Sequence, residues 1–450
     1  MRKTLTWLWL VVALGVFLGS GPGPVRTSDR KESGFPPRLP RQREAKQWKN
    51  LPATGEYAPD RILVRFNPSI SVGAADAIIA SYRAETLRRV PQIGVRSVRI
   101  PDRLTVEETL VMFNQNPDVE YAEPDYETFA CEVIPNDPSF GYQYGLRNDG
   151  QTVGPNGPRG VSGADIRATR AWEETRGLDT VVVAVIDTGI DFNHPDLQQN
   201  ILPGGYDFFN DDNDPTDDHE HGTRVASILA ADTDNGLGMA GACWHCKILP
   251  IKGLGHGARG YTSGMMEAIV WAADQGVQVI NLSNAARGPS QTLENAVKYA
   301  HDKNIVLVAA AGNNKKPVYF PAAYDDYVLA VAASDYRDQR ASFSNYGPEV
   351  DVAAPGVLIF SCIPTWKVGP NGFPYNYMTG TSMATPHVSA LAAMIRGLKP
   401  WLTADEVMDL IRYTADDMNR FEYPGHDPYM GYGRINMMKA LVPIPIQNRP

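Results

Sequence analysis

Between residues 180 and 333 the chain alternates short runs that are apolar at nearly every position with longer segments of helical spacing. Val181-Val-Val-Ala-Val-Ile186 is the plainest run. A strand with one wet face alternates apolar and polar residues. A strand apolar on both faces is buried on both, which is the habit of parallel sheets covered by helices. Similar runs stand at 247–251, 277–282, 305–310 and 327–333, and helical spacing at 225–231, 264–275 and 293–301. Two further helices are expected over 381–397 and 403–414. The alternation predicts an α/β fold, a doubly wound and mainly parallel sheet with helices on both faces. Hydrophobic residues make up 43% of the 450 and charged residues 21%, which supports a large core and excludes wholesale disorder. The formal net charge of −9 argues against a nucleic-acid binder, which carries a basic face.

Upstream lies a different pattern. Residues 62–66 read as a strand, 72–83 as a helix, 94–100 as a strand, 105–116 as a helix and 119–126 as extended, a small α+β unit. Before it, Arg2 and Lys3 precede an apolar stretch at 5–18 and the small residues Gly19, Ser20 and Gly21, the makeup of a secretory signal. The resulting division is 1–21 signal peptide, 22–56 flexible linker, 57–128 small domain, 129–441 large domain and 442–450 Pro-rich tail. No later stretch approaches the ~20 apolar residues of a membrane span, so the mature chain is expected outside the cell, or in a periplasm where the source has one. Export allows cysteines to pair. Cys131, Cys243, Cys246 and Cys362 permit three pairings. Cys243-Trp-His-Cys246 lacks the second pair of a zinc ribbon and opens no thioredoxin-like helix, so a local disulfide is expected there, leaving Cys131 with Cys362.

Three segments carry chemistry. Val-Ile-Asp187-Thr-Gly ends an apolar strand, where active groups of open α/β sheets gather. His221-Gly-Thr opens a helix, and Gly380-Thr-Ser382-Met-Ala-Thr-Pro opens another. A helix start offers free N–H groups and a positive dipole end to a developing oxyanion. Asn313 follows the run 305–310 and can donate an amide N–H to the same oxyanion. Asp, His and Ser in that order match one of the three chain orders in which unrelated folds assemble a Ser-His-Asp triad. A zinc peptidase built on His219-Glu-His221 is excluded by spacing, because side chains two apart do not share a helix face. Asp207, Asn210, Asp211, Asp212, Asp214, Asp217 and Asp218 crowd one loop, a density that would repel itself without a cation or solvent, and Asp207, Asp212 and Asp214 are taken as calcium candidates.

These segments together resemble the subtilisin-like serine proteases, or subtilases, from about residue 135 to 441. The resemblance rests on Asp187-Thr-Gly-Ile-Asp-Phe-Asn-His-Pro-Asp-Leu197, His221-Gly-Thr223, Ala311-Gly-Asn313, Val352-Ala-Ala-Pro-Gly356, Gly380-Thr-Ser-Met-Ala-Thr-Pro-His387 and Gly431-Tyr-Gly-Arg-Ile-Asn436. It implies that Asp187 orients the base, that His221 is general base and then acid, that Ser382 is the nucleophile, and that Asn313 with the Ser382 N–H forms the oxyanion hole. It implies substrate contacts at Ser283, Asn284, Ala285, Ala311, Gly312 and Tyr319, and a calcium site at Asp137, Asp196 and Asn235. The 57–128 unit resembles the family's inhibitory propeptide, a ferredoxin-like domain that serves as intramolecular chaperone and inhibitor and whose final strand occupies the cleft like a product. Self-cleavage is then expected between about 127 and 135. The implied protein is a secreted, autoprocessed, monomeric serine endopeptidase acting on polypeptides through an acyl-enzyme. Two departures stand out: Arg224 where the family has a second histidine, and Ser283-Asn-Ala-Ala-Arg287 where it has Ser-Leu-Gly-Gly or similar. The second motivates an alternative, a catalytically weak subtilase-like binding protein with an altered cleft.

Overall fold

The computed structural model describes residues 57–101, 103–126, 132–369 and 372–442. The expected signal peptide, the linker, Cys131, most of the expected processing stretch and the tail beyond Val442 lie outside the described residues. The chain divides into two compact units, one up to Thr128 and one from Phe129.

The first unit runs β1 Tyr57–Phe66, α1 Val72–Ser81, β2 Glu85–Val90, β3 Val95–Arg99, α2 Val106–Gln115 and β4 Val119–Tyr126. Its antiparallel sheet has the order β2-β3-β1-β4, the split βαβ arrangement of ferredoxin-like domains. Ile62, Val64 and Phe66 alternate inward along β1 and meet Ile79 and Phe113 from the helices. Ser71 caps α1 through Ala74 N, and Thr105 with Glu108 forms a capping box on α2. β2 was not expected from sequence: it is an edge strand whose Arg88 and Arg89 face solvent, so it has no apolar run to announce it.

The second unit runs α3 Ala168–Ala171, β5 Val182–Asp187, β6 Tyr206–Asp207, α4 His221–Ala230, β7 Lys247–Lys252, α5 Thr262–Asp274, β8 Val279–Leu282, α6 Gln291–Asp302, β9 Val306–Ala310, β10 Val328–Ser334, β11 Val352–Pro355, β12 Ile359–Cys362, β13 Tyr375–Met378, α7 Thr381–Leu398, α8 Ala404–Thr414 and α9 Met437–Leu441. Seven strands form one parallel sheet in the order β11-β10-β9-β8-β5-β7-β6, and β12 and β13 make a separate antiparallel pair. The alternation that defines the sequence sorts the core into two layers. Val183 and Val185 of β5, with Val306 and Val308 of β9, face α4 and α7. Ala184 and Ile186, with Leu307 and Ala309, face α5 and α6. Burial stabilises each of these Val, Ile and Leu side chains by roughly 1.5–3 kcal/mol relative to exposure. The chain winds from β5 towards β7 on one side and β8 on the other. A crevice therefore opens at the carboxyl ends of β5 and β8, the usual place for a site in an open α/β sheet.

Candidate active site

Asp187 is the last residue of β5 and is fully buried. Its Oδ1 accepts from Thr188 N at 2.8 Å and lies 2.7 Å from His221 Nδ1. A carboxylate can only accept, so Nδ1 carries the proton and Nε2 is left as an acceptor. His221 is the first residue of α4, and its side chain keeps 14% exposure. Burial opposes the imidazolium, but the charge of Asp187 and its hydrogen bond outweigh burial and hold His221 above the ordinary histidine value. His387, at the end of the Ser382 segment, is of another kind: it is buried, Nδ1 donates to Met383 O, and burial pushes its pKa down to about 4.

The turn into α4 is fixed by residues far apart in sequence. Gly222 must be glycine, since a Cβ there would meet Gly189 O at 2.0 Å. Asp217, buried among these turns, accepts from Thr188 Oγ1, His219 N and Glu220 N at Oδ1, and from Thr223 N and Oγ1 at Oδ2. Sequence reading took Asp217 as one more acid of a crowded loop. Its position four residues before His221, with Thr223 beyond, was the available signal for a capping role.

Ser382 lies in the first turn of α7, and Gly380 precedes it as the N-cap. Asn313 Oδ1 accepts from Thr381 N at 2.8 Å and Oγ1 at 3.0 Å, which assigns the amide and turns Nδ2 the other way. A methyl placed on Gly380 would stand 2.9 Å from Ser382 Oγ and 3.4 Å from Asn313 Nδ2, so the hydroxyl and the amide face one small space. First-turn amides of a helix have no partner within it, and the dipole adds positive potential there. Pro386 falls early in the helix, where a missing N–H costs little.

The expected substrate residues are found in different states. Ser283 is buried; its Oγ donates to Ser382 O at 3.0 Å and accepts from Asn281 Nδ2. Asn284 Nδ2 donates to Ile186 O at 2.6 Å, tying the β8 exit to β5. Ala285 is exposed, and beyond it Ala286 bridges to Phe320. Ala311 has its N–H on Val331 O, and its carbonyl accepts from Tyr319 N and Asn345 Nδ2, so its main chain is already paired. Gly312 N donates to Thr381 Oγ1, and Tyr319 OH donates to Asn314 Oδ1. Asn345, not singled out in the sequence, organises this turn: its Oδ1 accepts from Asn314 N and Lys316 N.

The metal candidates separate. Asn235 joins Asp137 and Asp196: its N–H donates to Asp137 Oδ1 at 3.3 Å and its Nδ2 to Asp196 Oδ1 at 2.9 Å. Burial pushes Asp196 up to about 6 and raises Asp137, and the charges of Asp137 and Asp232 also raise Asp196. Two buried carboxylates and an amide suit a hard cation that takes oxygen ligands, with backbone carbonyls and water to complete six to eight. In the acidic loop the candidates Asp207, Asp212 and Asp214 turn to groups a few residues on in the loop itself. Asp207 accepts from Phe209 N and Asn210 N, Asp212 from Asp214 N, and Asp214 from Thr216 N and Oγ1, while Asp218 pairs with Lys252. These bonds answer part of the charge that suggested a cation. Among the described residues no three acidic, histidine or cysteine side chains gather in a metal-holding group.

Cys243 and Cys246 form a buried disulfide, while Cys362 is a buried thiol whose expected partner, Cys131, lies outside the described residues. Among the described residues no helix is long and apolar enough to cross a membrane.

The chain is similar to known proteins in both of its parts. The model of the subtilase family, Peptidase S8, matches residues 179–433, and that of the fervidolysin N-terminal prodomain matches 43–125. The chain is 39% identical to a thermophilic serine proteinase of Bacillus sp. (strain AK1) over 86% of its own length and 88% of the relative's. It is 35% identical to the halolysin-like extracellular serine protease Nep of Natrialba magadii over 86% of this chain and 68% of that one. Among solved structures, fervidolysin from Fervidobacterium pennivorans, described as a keratinolytic enzyme related to subtilisin, superposes with a TM-score of 0.58 at 29% identity, covering 88% of this chain and 63% of that one.

Proposed function

The chain belongs to the subtilase family of serine proteases, with a fervidolysin-like prodomain ahead of its peptidase domain, and from that premise we propose an exported, self-processing endopeptidase with Asp187, His221 and Ser382 as its triad. The observation that carries the reading is the 2.7 Å contact of His221 Nδ1 with the buried Asp187, which leaves Nε2 to act as base.

In this mechanism Nε2 takes the Ser382 hydroxyl proton as Oγ attacks the scissile carbonyl, and Asp187 stabilises the imidazolium. The oxyanion forms against Asn313 Nδ2 and the Ser382 N–H, in the space that Gly380 leaves open. Nε2–H then protonates the departing amine, leaving an ester on Ser382. Water enters, loses a proton to Nε2 and adds to the ester carbonyl; the acid departs as Ser382 Oγ leaves and takes that proton back from Nε2. Ser283, Asn284, Ala285, Ala311, Gly312 and Tyr319 are proposed to border the acyl side of the cleft. The extracellular naming of the Natrialba relative supports export, and the prodomain match supports the 57–128 unit as chaperone and inhibitor. Division at about residue 128, a monomeric state and a mature chain without an anchor belong to the same reading. Calcium is proposed at Asp137, Asp196 and Asn235, with the Asp207–Asp212–Asp214 loop as a second position; bound there, it would offset carboxylate charge and stiffen the fold. A weak binding protein is the lesser reading, since the triad and Asn313 are all present.

A fluorophosphonate probe tests the assignment. It is expected to label the mature protein once, on the peptide holding Ser382, and to leave Ser382→Ala unlabelled. Labelling of Ser382→Ala to the same extent would overturn it.

A further inference from the structure

Arg224 stands one turn into α4 from His221 and is almost fully buried. Its Nε and Nη2 both donate to Glu220 Oε2, at 3.2 and 2.9 Å. Its Nη1 donates to Ser361 Oγ at 3.0 Å and to Asn376 O at 3.3 Å, on β12 and β13. The other oxygen of Glu220 accepts from Lys367 Nζ at 2.6 Å, in the segment that follows β12. One turn further along α4, Ser227 Oγ accepts from Cys362 N. Trp366 Nε1 donates to Asp217 O, and Thr365 N and Oγ1 donate to Asp191 Oδ2, so the same segment is also fastened to the approach to His221.

The hairpin held in this way delivers the nucleophile: β13 ends at Met378, four residues before Ser382. Glu220, directly before His221, has φ 119° and ψ −23°. That is left-handed territory, costly for a residue with a side chain, and it persists only where the surroundings over-determine it. Two cations on one half-buried carboxylate supply that constraint. Burial works against the charge of Glu220, but Lys367 and Arg224 outweigh it and hold its carboxyl below the ordinary value.

We propose that Glu220, Arg224 and Lys367 form an ionic clamp that sets the helix carrying His221 against the hairpin delivering Ser382, with Glu220 and Arg224 as positioning residues for proton transfer. The clamp touches no substrate, so it acts on kcat and not on KM. A misplacement of about 1 Å at reacting atoms costs up to about 10²-fold in rate. Arg224 has a second effect, because its charge faces His221 and opposes protonation of the imidazole. The other charges bearing on this place are Asp187 from β5, Asp217 and Glu220 before α4, and Lys367 after β12.

The inference rests on His221 being the base, and two variants separate the clamp from a merely structural ion pair. Arg224→Lys keeps the charge but cannot span Glu220, Ser361 and Asn376 together; kcat is expected to fall about 10- to 100-fold with KM and the acid limb of the pH profile unmoved. The double variant Glu220→Gly with Arg224→Met removes both members of the pair and relieves the backbone at 220. It is expected to melt within a few degrees of wild type, to stay low in kcat, and to have its acid limb moved to higher pH. Wild-type kcat in Arg224→Lys overturns the clamp, as does a double variant with wild-type kcat and acid limb. If the double variant does not fold, Arg224→Lys decides alone. Ser382→Ala is assayed beside them: peptidase activity there would refute the triad itself, a failure distinct from that of the clamp.

Discussion

Replacing Gly380 by alanine should inactivate the enzyme without unfolding it. Gly380 has φ 162°, an extended conformation open to any residue, so its missing side chain serves space rather than backbone freedom. The added methyl would lie 2.9 Å from Ser382 Oγ and 3.4 Å from Asn313 Nδ2. The closer contact is with a hydroxyl that can rotate, at a rotamer cost of about 0.5–1.5 kcal/mol. A glycine-to-alanine change at a compatible backbone returns about 0.4–1 kcal/mol through the unfolded chain. The two nearly cancel, and a residual of about 1 kcal/mol moves Tm by only about 2–4 °C in a domain of roughly 150–250 residues, less in a larger one. Catalysis has no such compensation. The methyl fills the space where the oxyanion forms and turns the nucleophile from it. Losing one oxyanion donor costs about 2.7–4 kcal/mol, or about 10²–10³ in rate. Hydrolysis of a chromogenic peptide should therefore fall at least about 10²-fold in kcat/KM, with fluorophosphonate capture slowed in parallel and the melting curve nearly unchanged. Wild-type kcat/KM in folded Gly380→Ala would refute the placement of the oxyanion between Ser382 and Asn313.

Asn313→Ala is expected to lower kcat by about 10²–10³ with little change in KM, a figure carried over from subtilisin; a loss confined to KM would assign Asn313 to substrate binding instead. His221 must be neutral to accept a proton, so kcat/KM should fall as pH drops through a value above the ordinary histidine pKa, and Asp187→Asn should move that limb to lower pH while reducing the maximum. The same pair stabilises the fold fully below the unfolded histidine pKa, and that contribution is lost as pH rises through the folded one; a wild-type limb at or below the ordinary value contradicts the pair. Excess chelator should lower Tm, by the loss of about 2.7 kcal/mol if calcium is held at 100 times its Kd, and Asp137→Asn should remove most of the chelator's effect. An unchanged melting curve in chelator would leave Asp137, Asp196 and Asn235 without a metal.

The sheet was legible because its strands are buried on both faces, and β5, β7, β8, β9 and β10 each announce themselves as an apolar run. β2 and the β12–β13 hairpin were not, the first because its side chains meet solvent, the second because Ser361 and Asn376 interrupt its short apolar runs. At the site, Asp187, His221, Ser382 and Asn313 stand out through the glycines beside them, and Gly222 and Gly380 show why: each keeps open a space that a Cβ would fill. The residues that hold the site were opaque. Asp217 meets Thr188, Asn345 meets Ala311, and Arg224 meets Ser361 and Asn376, partners from 29 to 152 positions away that no local pattern connects. The crowding of the acidic loop suggests a cation, and backbone N–H groups a few residues on also answer part of that charge, which composition does not record.

The central claim, that Ser382 is the nucleophile of a self-processing peptidase, is tested most directly by the intact mass of the purified wild type beside Ser382→Ala. The account predicts that wild type alone loses the segment up to about residue 127–135, while Ser382→Ala keeps it. Both proteins remaining full length, or both being shortened alike in a host without other proteases, would contradict it.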